Sequence, residues 1–412
     1  MWCSRIGPAV VDPATELVKP SSNRECEAQT GRVSVVQTMN TELLWGETET
    51  RDGAAVFGPH GVSAASRTRP GTSSGVYLIR SGDEALLVDT GRRTAPEYPT
   101  GVLDTICDVI DERDVRLRYV VQTHFHYDHV GNTQHLKDRY GATVLCHAQD
   151  RPVIEDPTIL ASTEYIESMG GDPATIAAEL TLDDPSDITA SKALVREHWN
   201  HPVEVDRTVE DGDTVTLGEL ELRVLHTPGH TPGHLSVYNP SSNSLYLADV
   251  MYWPTPLHPY PMGNVAEQIA SVEKCLTLEA DSLFSGHGLP RFGADAVEDY
   301  LRELLLRGRQ LEERILVLLS RHGELTIPDL HAETFVIKER YDYANDGWFA
   351  NSMNCIHAHL RRLLEAKEVR RVERENGTVA WEVTEDGQRP AEETGVEGAY
   401  ERTKTLADIP RT

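Results

Sequence analysis

Residues 124–129 read His-Phe-His-Tyr-Asp-His, which places His124, His126, Asp128 and His129 directly after the apolar run Tyr119-Val120-Val121. Neutral imidazole nitrogens and a carboxylate oxygen are the donors a borderline divalent ion such as Zn²⁺ takes. With 119–123 as a strand, the turn after it carries these side chains, and Gly131-Asn132-Thr133 leads into a helix. His124 and His126 then point one way, and Asp128 with His129 turns toward a second position. That arrangement suits two ions rather than one.

The pattern recurs along the chain. Downstream lie His226-Thr-Pro-Gly-His230-Thr-Pro-Gly-His234, Leu247-Ala-Asp249 after an apolar strand, and Phe284-Ser-Gly-His287. Upstream, Leu86-Leu-Val-Asp89-Thr-Gly91 is another strand ending in an acid and a glycine. Five strand-to-loop junctions thus each present a metal-type ligand or its support, in order.

These five junctions resemble the ordered motifs of the metallo-beta-lactamase superfamily. The resemblance covers about residues 31–300 and implies an α/β fold, an αββα sandwich. It implies a first metal site of His124, His126 and His230 and a second of Asp128, His129 and His287, with Asp249 bridging two divalent ions, Zn²⁺ by preference, with Fe²⁺ or Mn²⁺ as alternatives. Asp89 would orient ligands without binding metal. Class B1 lactamases use Cys where Asp249 stands here. Asp249 and His287 lie too close in the chain to admit the large module that nucleases of the beta-CASP type insert there. His126 departs from the Glu of flavodiiron proteins. What remains is the company of glyoxalase-II-like thioester hydrolases, lactonases, the beta-lactamase-like protein 2 group and mono-iron persulfide dioxygenases.

The chemistry implied is hydrolysis: two ions activate a water toward a carbonyl carbon and stabilise the resulting anion, with Asp128 or Asp249 carrying the proton to the leaving group. The expected substrate is a small thioester, lactone or other activated ester. The alternatives are an endoribonuclease of the beta-lactamase-like protein 2 type and a mono-iron persulfide dioxygenase.

Composition frames this reading. The 412 residues carry a formal charge of −27, and lysine stands only at 19, 137, 192, 274, 338, 367 and 404, so arginine supplies most of the 39 basic residues. Either a high-salt cytoplasm or an ordinary acidic protein of a GC-rich genome fits. Both weaken attraction to nucleic acid or to an anionic membrane. The cysteines at 3, 26, 107, 146, 275 and 355 form no CxxC pair, which favours a reducing cytoplasm. Cys146, in a strand, reads as buried packing. No apolar stretch approaches the ~20 residues of a membrane span.

Residues 1–30 read as a polar extension. Short alternating runs from Val33, Val76 and Ala85 read as strands, 101–118 as a helix, and Thr143–His147 and Val215–Leu225 as strands again. An insertion at 151–205 has helical character over Ile154–Met169 and Pro173–Leu182 and is expected to form a lid. The loop after Asp249 offers Tyr252, Trp253 and His258 as substrate-pocket walls. Residues 301–384 carry three helical stripes and a hairpin around Asn376-Gly377, which resembles a winged helix. Across 353–383 six basic residues face five acidic ones, so a DNA-groove reader is not favoured and packing against the catalytic domain or a partner subunit is. A polar tail, 385–412, is expected to fray. Oligomeric state is open.

Overall fold

The computed structural model describes residues 33–35, 45–49, 55–59, 74–93, 103–168, 172–180, 201–252, 263–287, 290–334, 346–375 and 377–389. An eight-stranded sheet runs in chain order: β1 (Val33–Val35), β2 (Trp45–Glu49), β3 (Ala55–Pro59), β4 (Val76–Ser81), β5 (Glu84–Val88), β6 (Arg116–Val121), β7 (Thr143–Cys146) and β8 (Arg207–Thr208). Its first five strands are antiparallel. From β5 to β8 the pairing is parallel. Parallel neighbours need crossovers, and the chain supplies α1 (Leu103–Glu112) between β5 and β6, then α2 (Tyr127–Val130) and α3 (Thr133–Tyr140) between β6 and β7.

A second, six-stranded sheet has the order β14-β13-β12-β11-β10-β9, with β9 (Thr214–Leu217), β10 (Leu220–His226), β11 (Leu235–Asn239), β12 (Ser244–Tyr252), β13 (Ser282–His287) and β14 (Arg291–Phe292). Period-two alternation sorts the side chains between layers. Tyr77, Ile79, Leu86 and Val88 meet Val215, Leu217, Leu222, Val224, Val237, Tyr246 and Phe284 between the sheets. Their alternates Val76, Leu78, Ala85 and Leu87 pack outward on Ile106, Cys107 and Ile110 of α1. On the far side, Leu245, Leu247 and Val250 are covered by α7 (Val265–Leu276) and by Val297, Leu301 and Leu304 of α8 (Ala294–His322). Two packed sheets with helices outside both make the expected αββα sandwich.

The insertion after β7 differs from expectation. Ile154–Met169 is not one helix: α4 (Arg151–Glu155) gives way to a 3₁₀ turn, Pro157–Ala161, and then to α5 (Glu164–Ser168). Pro157 has no N–H to continue the ladder, and the Asp156 carboxylate caps the new turn by accepting from the Thr158 N–H at 3.0 Å. α6 spans Pro173–Leu180. His198 and Trp199 lie outside the described residues, and His201 is exposed.

α8 runs unbroken for 29 residues through position 300, where a boundary is expected. Its second half joins α9 (Ile327–Thr334), α10 (Asp346–Glu365) and the hairpin β15 (Val369–Glu373) with β16 (Val379–Val383) in a separate core of Leu311, Ile315, Leu319, Ile327, Leu330, Met353, Ile356, Leu360 and Trp381. Leu325 pairs with Trp381 across an isolated antiparallel bridge. Ile166 of α5 and Ala177 of α6 enter the same core. Glu179 of α6 binds His357 at 2.6 Å and Arg371 at 2.8 Å. The C-terminal unit therefore grips the insertion. The start of the expected frayed tail is also held, because Arg389 reaches Glu313 at 2.8 Å and Glu368 at 3.1 Å.

Among the described residues, no helix is long and apolar enough to cross a membrane. Cys107, Cys146, Cys275 and Cys355 are buried free thiols, and burial pushes Cys146 and Cys275 up to about 12, which keeps both as inert thiols.

Candidate metal centre

The parallel strands β5, β6 and β7 end at one edge, and the functional side chains gather there. Asp89 follows β5, His124 and His126 follow β6, and Asp128 and His129 lie on α2. From the other sheet come His230 in the β10–β11 loop, Asp249 on β12 and His287 at the end of β13. β12 shifts register on both sides of Ala248, which takes φ 51°, and this bulge presents Asp249. Across the bulge Gly286 is required, since a Cβ there would strike the Asp249 carboxylate.

Two donor groups result: His124, His126, His230 and Asp249 in one, and Asp128, His129 and His287 in the other. In the first, His124 Nε2 and His230 Nε2 lie 2.9 and 3.0 Å from His126 Nδ1. A tetrahedral ion with nitrogen bonds of about 2.0–2.1 Å sets ligand edges of roughly 3.3 Å, so small side-chain shifts suffice. Asp249 Oδ2 stands between the groups, 3.2 Å from His287 Nε2, 3.4 Å from His129 Nε2, 3.7 Å from His230 Nε2 and 3.9 Å from His124 Nε2. Asp128 Oδ2 lies 3.2 Å from His287 Nε2. All seven residues offered by the sequence converge.

Protonation differs between the halves. Burial, then the neighbouring imidazoles, hold His124 and His126 well below the usual histidine range, leaving neutral rings with lone pairs to donate. His129 is held well above that range: burial opposes the shift, but the Asp249, Asp89 and Asp128 carboxylates outweigh it. His287 is pushed up to about 9, against burial, chiefly by Asp249. Asp249 lies well below the usual carboxylate range, held there against burial by His287 and His129. Carboxylates thus concentrate positive charge where a cation is best accommodated. Buried Asp249 Oδ1 has no hydrogen-bond partner among the described residues, and His129 Nε2 meets only the other oxygen of the same carboxylate, at 3.4 Å. In a fold that satisfies buried polar atoms, an unpartnered carboxylate oxygen within a His/Asp cluster fits a metal donor.

Asp89, buried and at φ 60°, accepts from the Thr123 N–H and hydroxyl, each at 2.8 Å, and binds His129 Nδ1 at 2.7 Å. That contact turns His129 Nε2 toward the cluster. Asp89→Asn would place an amide N–H against a donor, and the expected result is a weakening of about 10–100-fold for the ion beside His129. Metal titration of the variant checks this; unchanged affinity would refute the orienting role.

Two buried residues here carry no role in the sequence reading. His234 accepts the Asp249 N–H at Nε2, 3.1 Å away, so its Nδ1 carries the proton toward the Thr227 hydroxyl at 2.9 Å. Its place in the repeated Thr-Pro-Gly-His motif was the available signal. Asp150, four residues after β7, sits under the ligand loops. Tyr252 ends β12, with its side chain outside the described set, and Trp253 and His258 lie outside the described residues.

Comparison with known proteins agrees with this geometry. The profile of the Metallo-beta-lactamase superfamily matches residues 69–287. The chain is 25% identical over 233 residues to the acyl-coenzyme A thioesterase MBLAC2 of Gallus gallus, covering 55% of this chain and 76% of that protein. It is 23% identical over 298 residues to a beta-lactamase-like protein 2 homolog of Caenorhabditis elegans, covering 72% and 79%. A beta-lactamase domain protein of Burkholderia ambifaria shares the fold with a TM-score of 0.60 at 19% identity, covering 82% of this chain and 94% of that one. A metallo-beta-lactamase family protein of Thermus thermophilus does so with a TM-score of 0.58 at 20% identity, covering 76% and 94%. With its motifs, sandwich and convergent His/Asp cluster, the chain belongs to the metallo-beta-lactamase superfamily of metal-dependent hydrolases.

Proposed function

We propose that the chain hydrolyses a thioester, lactone or other activated acyl ester at a two-ion centre. The observation that carries this reading is Asp249 Oδ2, within 3.2–3.9 Å of imidazole nitrogens from both donor groups. His124, His126 and His230 would hold one ion, Asp128, His129 and His287 the other, and Asp249 both. Bound there, divalent ions supply ionised water at neutral pH and a Lewis-acid contact for a carbonyl oxygen. The protein's part is placement. Asp89 and His234 fix His129 and Asp249, and neutral His124 and His126 keep donors available. Asp128, whose Oδ2 lies 3.2 Å from His287 Nε2, can take a proton and pass it to the leaving thiolate or alkoxide.

The similarity to a protein named as an acyl-coenzyme A thioesterase supports the thioester class. The C-terminal unit we read as winged-helix-like, and its wing and third helix are engaged within the chain. His357 and Arg371 bind Glu179, Arg362 binds Glu312, Arg370 binds Glu382, and Arg374 lies 3.4 Å from Glu324. The pairing of His357, Arg371 and Arg362 with the buried Glu179 and Glu312 supports packing over RNA binding, whereas the Arg370 and Arg374 pairs are surface contacts.

The test is turnover of an acyl-coenzyme A and of single-stranded RNA by the full chain, each with and without chelator. Thioester cleavage that stops on chelation and returns with Zn²⁺ is expected. Metal-dependent RNA cleavage without thioester cleavage would overturn the proposal in favour of a nuclease. One iron per chain with no zinc would favour the mono-iron dioxygenase.

A further inference from the structure

Asp150 is 1% exposed and has no place in the donor groups above. It lies in the turn that follows β7 and opens α4. Its Oδ1 accepts the Gly233 N–H at 2.7 Å, and its Oδ2 accepts the Thr231 hydroxyl at 2.7 Å. The Phe125 backbone N–H also bonds to this carboxylate. Phe125 stands between His124 and His126, and Thr231 follows His230. One buried side chain thus ties together the two loops that deliver all three histidines of the first group, across the gap between the two sheets.

The approach is built in rather than incidental. A Cβ at Gly233 would come within 2.5 Å of Asp150 Oδ1 and 2.6 Å of its backbone nitrogen, so glycine is needed for the loop to close on the carboxylate. Three converging donors define the positions of both loops more narrowly than any one backbone contact would. The second donor group takes no bond from Asp150; its orienting carboxylate is Asp89.

We propose that Asp150 is a positioning residue for the first metal site, holding the His124–His126 loop and the His230 loop at the spacing an ion requires. The inference rests on the reading of these histidines as ligands. It predicts selectivity: disturbing Asp150 weakens one ion and spares the other, whereas disturbing Asp89, which bonds His129 directly and reaches His124 through the Thr123 hydroxyl, is not confined to one ion. A merely structural aspartate would lower the stability of the metal-free protein without distinguishing the two ions.

The test is a Co²⁺ titration of the metal-free full chain, followed by absorption and calorimetry, for the wild type, Asp150→Asn, Thr231→Val and Asp89→Asn. Asp150→Asn removes the charge and leaves one oxygen to accept from three donors, and Thr231→Val removes one donor while keeping the carboxylate, so it serves if the first variant fails to fold. The expected result is a loss of about 10–100-fold in affinity for one ion in the Asp150→Asn and Thr231→Val proteins, with the other ion unchanged, whereas in Asp89→Asn the loss includes that other ion. Wild-type affinity for both ions in either folded variant, or equal weakening of both, would overturn the proposal. A wild-type chain that binds no Co²⁺ would remove the ligand reading itself, and this inference with it.

Discussion

Asp249→Asn will lower kcat/KM for thioester hydrolysis by about 10²–10⁴-fold, or roughly 3–5 kcal/mol of transition-state stabilisation. The substitution keeps the shape of the side chain and removes its charge. Asp249 is 2% exposed, and its carboxylate faces His124, His129, His230 and His287 within 3.9 Å. Its backbone is set independently by the hydrogen bond to His234 and the bulge at Ala248. The variant should therefore fold, and the loss should fall on metal retention and on kcat more than on KM. Steady-state kinetics with metal analysis of the same samples checks this. Activity within about tenfold of the wild type, a difference of only about 1.4 kcal/mol, would contradict a bridging role.

Glu312→Ala will destabilise the C-terminal unit by about 3–5 kcal/mol, the usual result of stripping one partner from a buried ion pair. Glu312 on α8 binds His359 Nδ1 at 2.9 Å and Arg362 Nε at 2.5 Å, both on α10. His359 is fully buried and, against that burial, is pushed up to about 10 by Cys355 and Glu312. Glu312 is held below the usual carboxylate range, against burial, by His359 and Arg362. A raised histidine stabilises fully below its unfolded value of about 6.5 and loses that contribution as pH rises toward 10. A lowered glutamate stabilises fully above its unfolded value of about 4.3 and loses its contribution as pH falls below it. The stability gap between wild type and Glu312→Ala should therefore be widest at about pH 4.3–6.5 and narrow toward pH 10. Urea unfolding at a series of pH values, followed by tryptophan fluorescence, measures it. A gap that does not change between pH 6 and 10 would contradict the protonated pair.

Much of the centre was legible because its ligands are dense, polar and placed where apolar runs end. His124, His126, Asp128 and His129 fall within six positions, His230 follows β10, Asp249 lies within β12 and His287 ends β13, so residue type and position agreed. The alternation in β4 and β5 likewise separates Tyr77 and Leu86 from Leu78 and Leu87 before any contact is known. Asp150 was not legible, because its partners Phe125, Thr231 and Gly233 approach it only through tertiary packing; that β7 runs parallel to β6 and ends at the same edge was the available clue. The division near residue 300 was read from a change of pattern, yet α8 serves two cores with one continuous stripe, Leu301 and Leu304 on one and Leu311 and Ile315 on the other. The break in the insertion was readable in Asp156-Pro157, where a proline without a donor follows a capping carboxylate. Periodicity alone overrode it.

Elemental analysis of the full chain, purified without added chelator, bears most directly on the two-ion reading. Two divalent ions per chain are predicted for the wild type, falling to one or none in Asp249→Asn. A wild-type chain holding a single ion even when titrated with excess Zn²⁺ would contradict it.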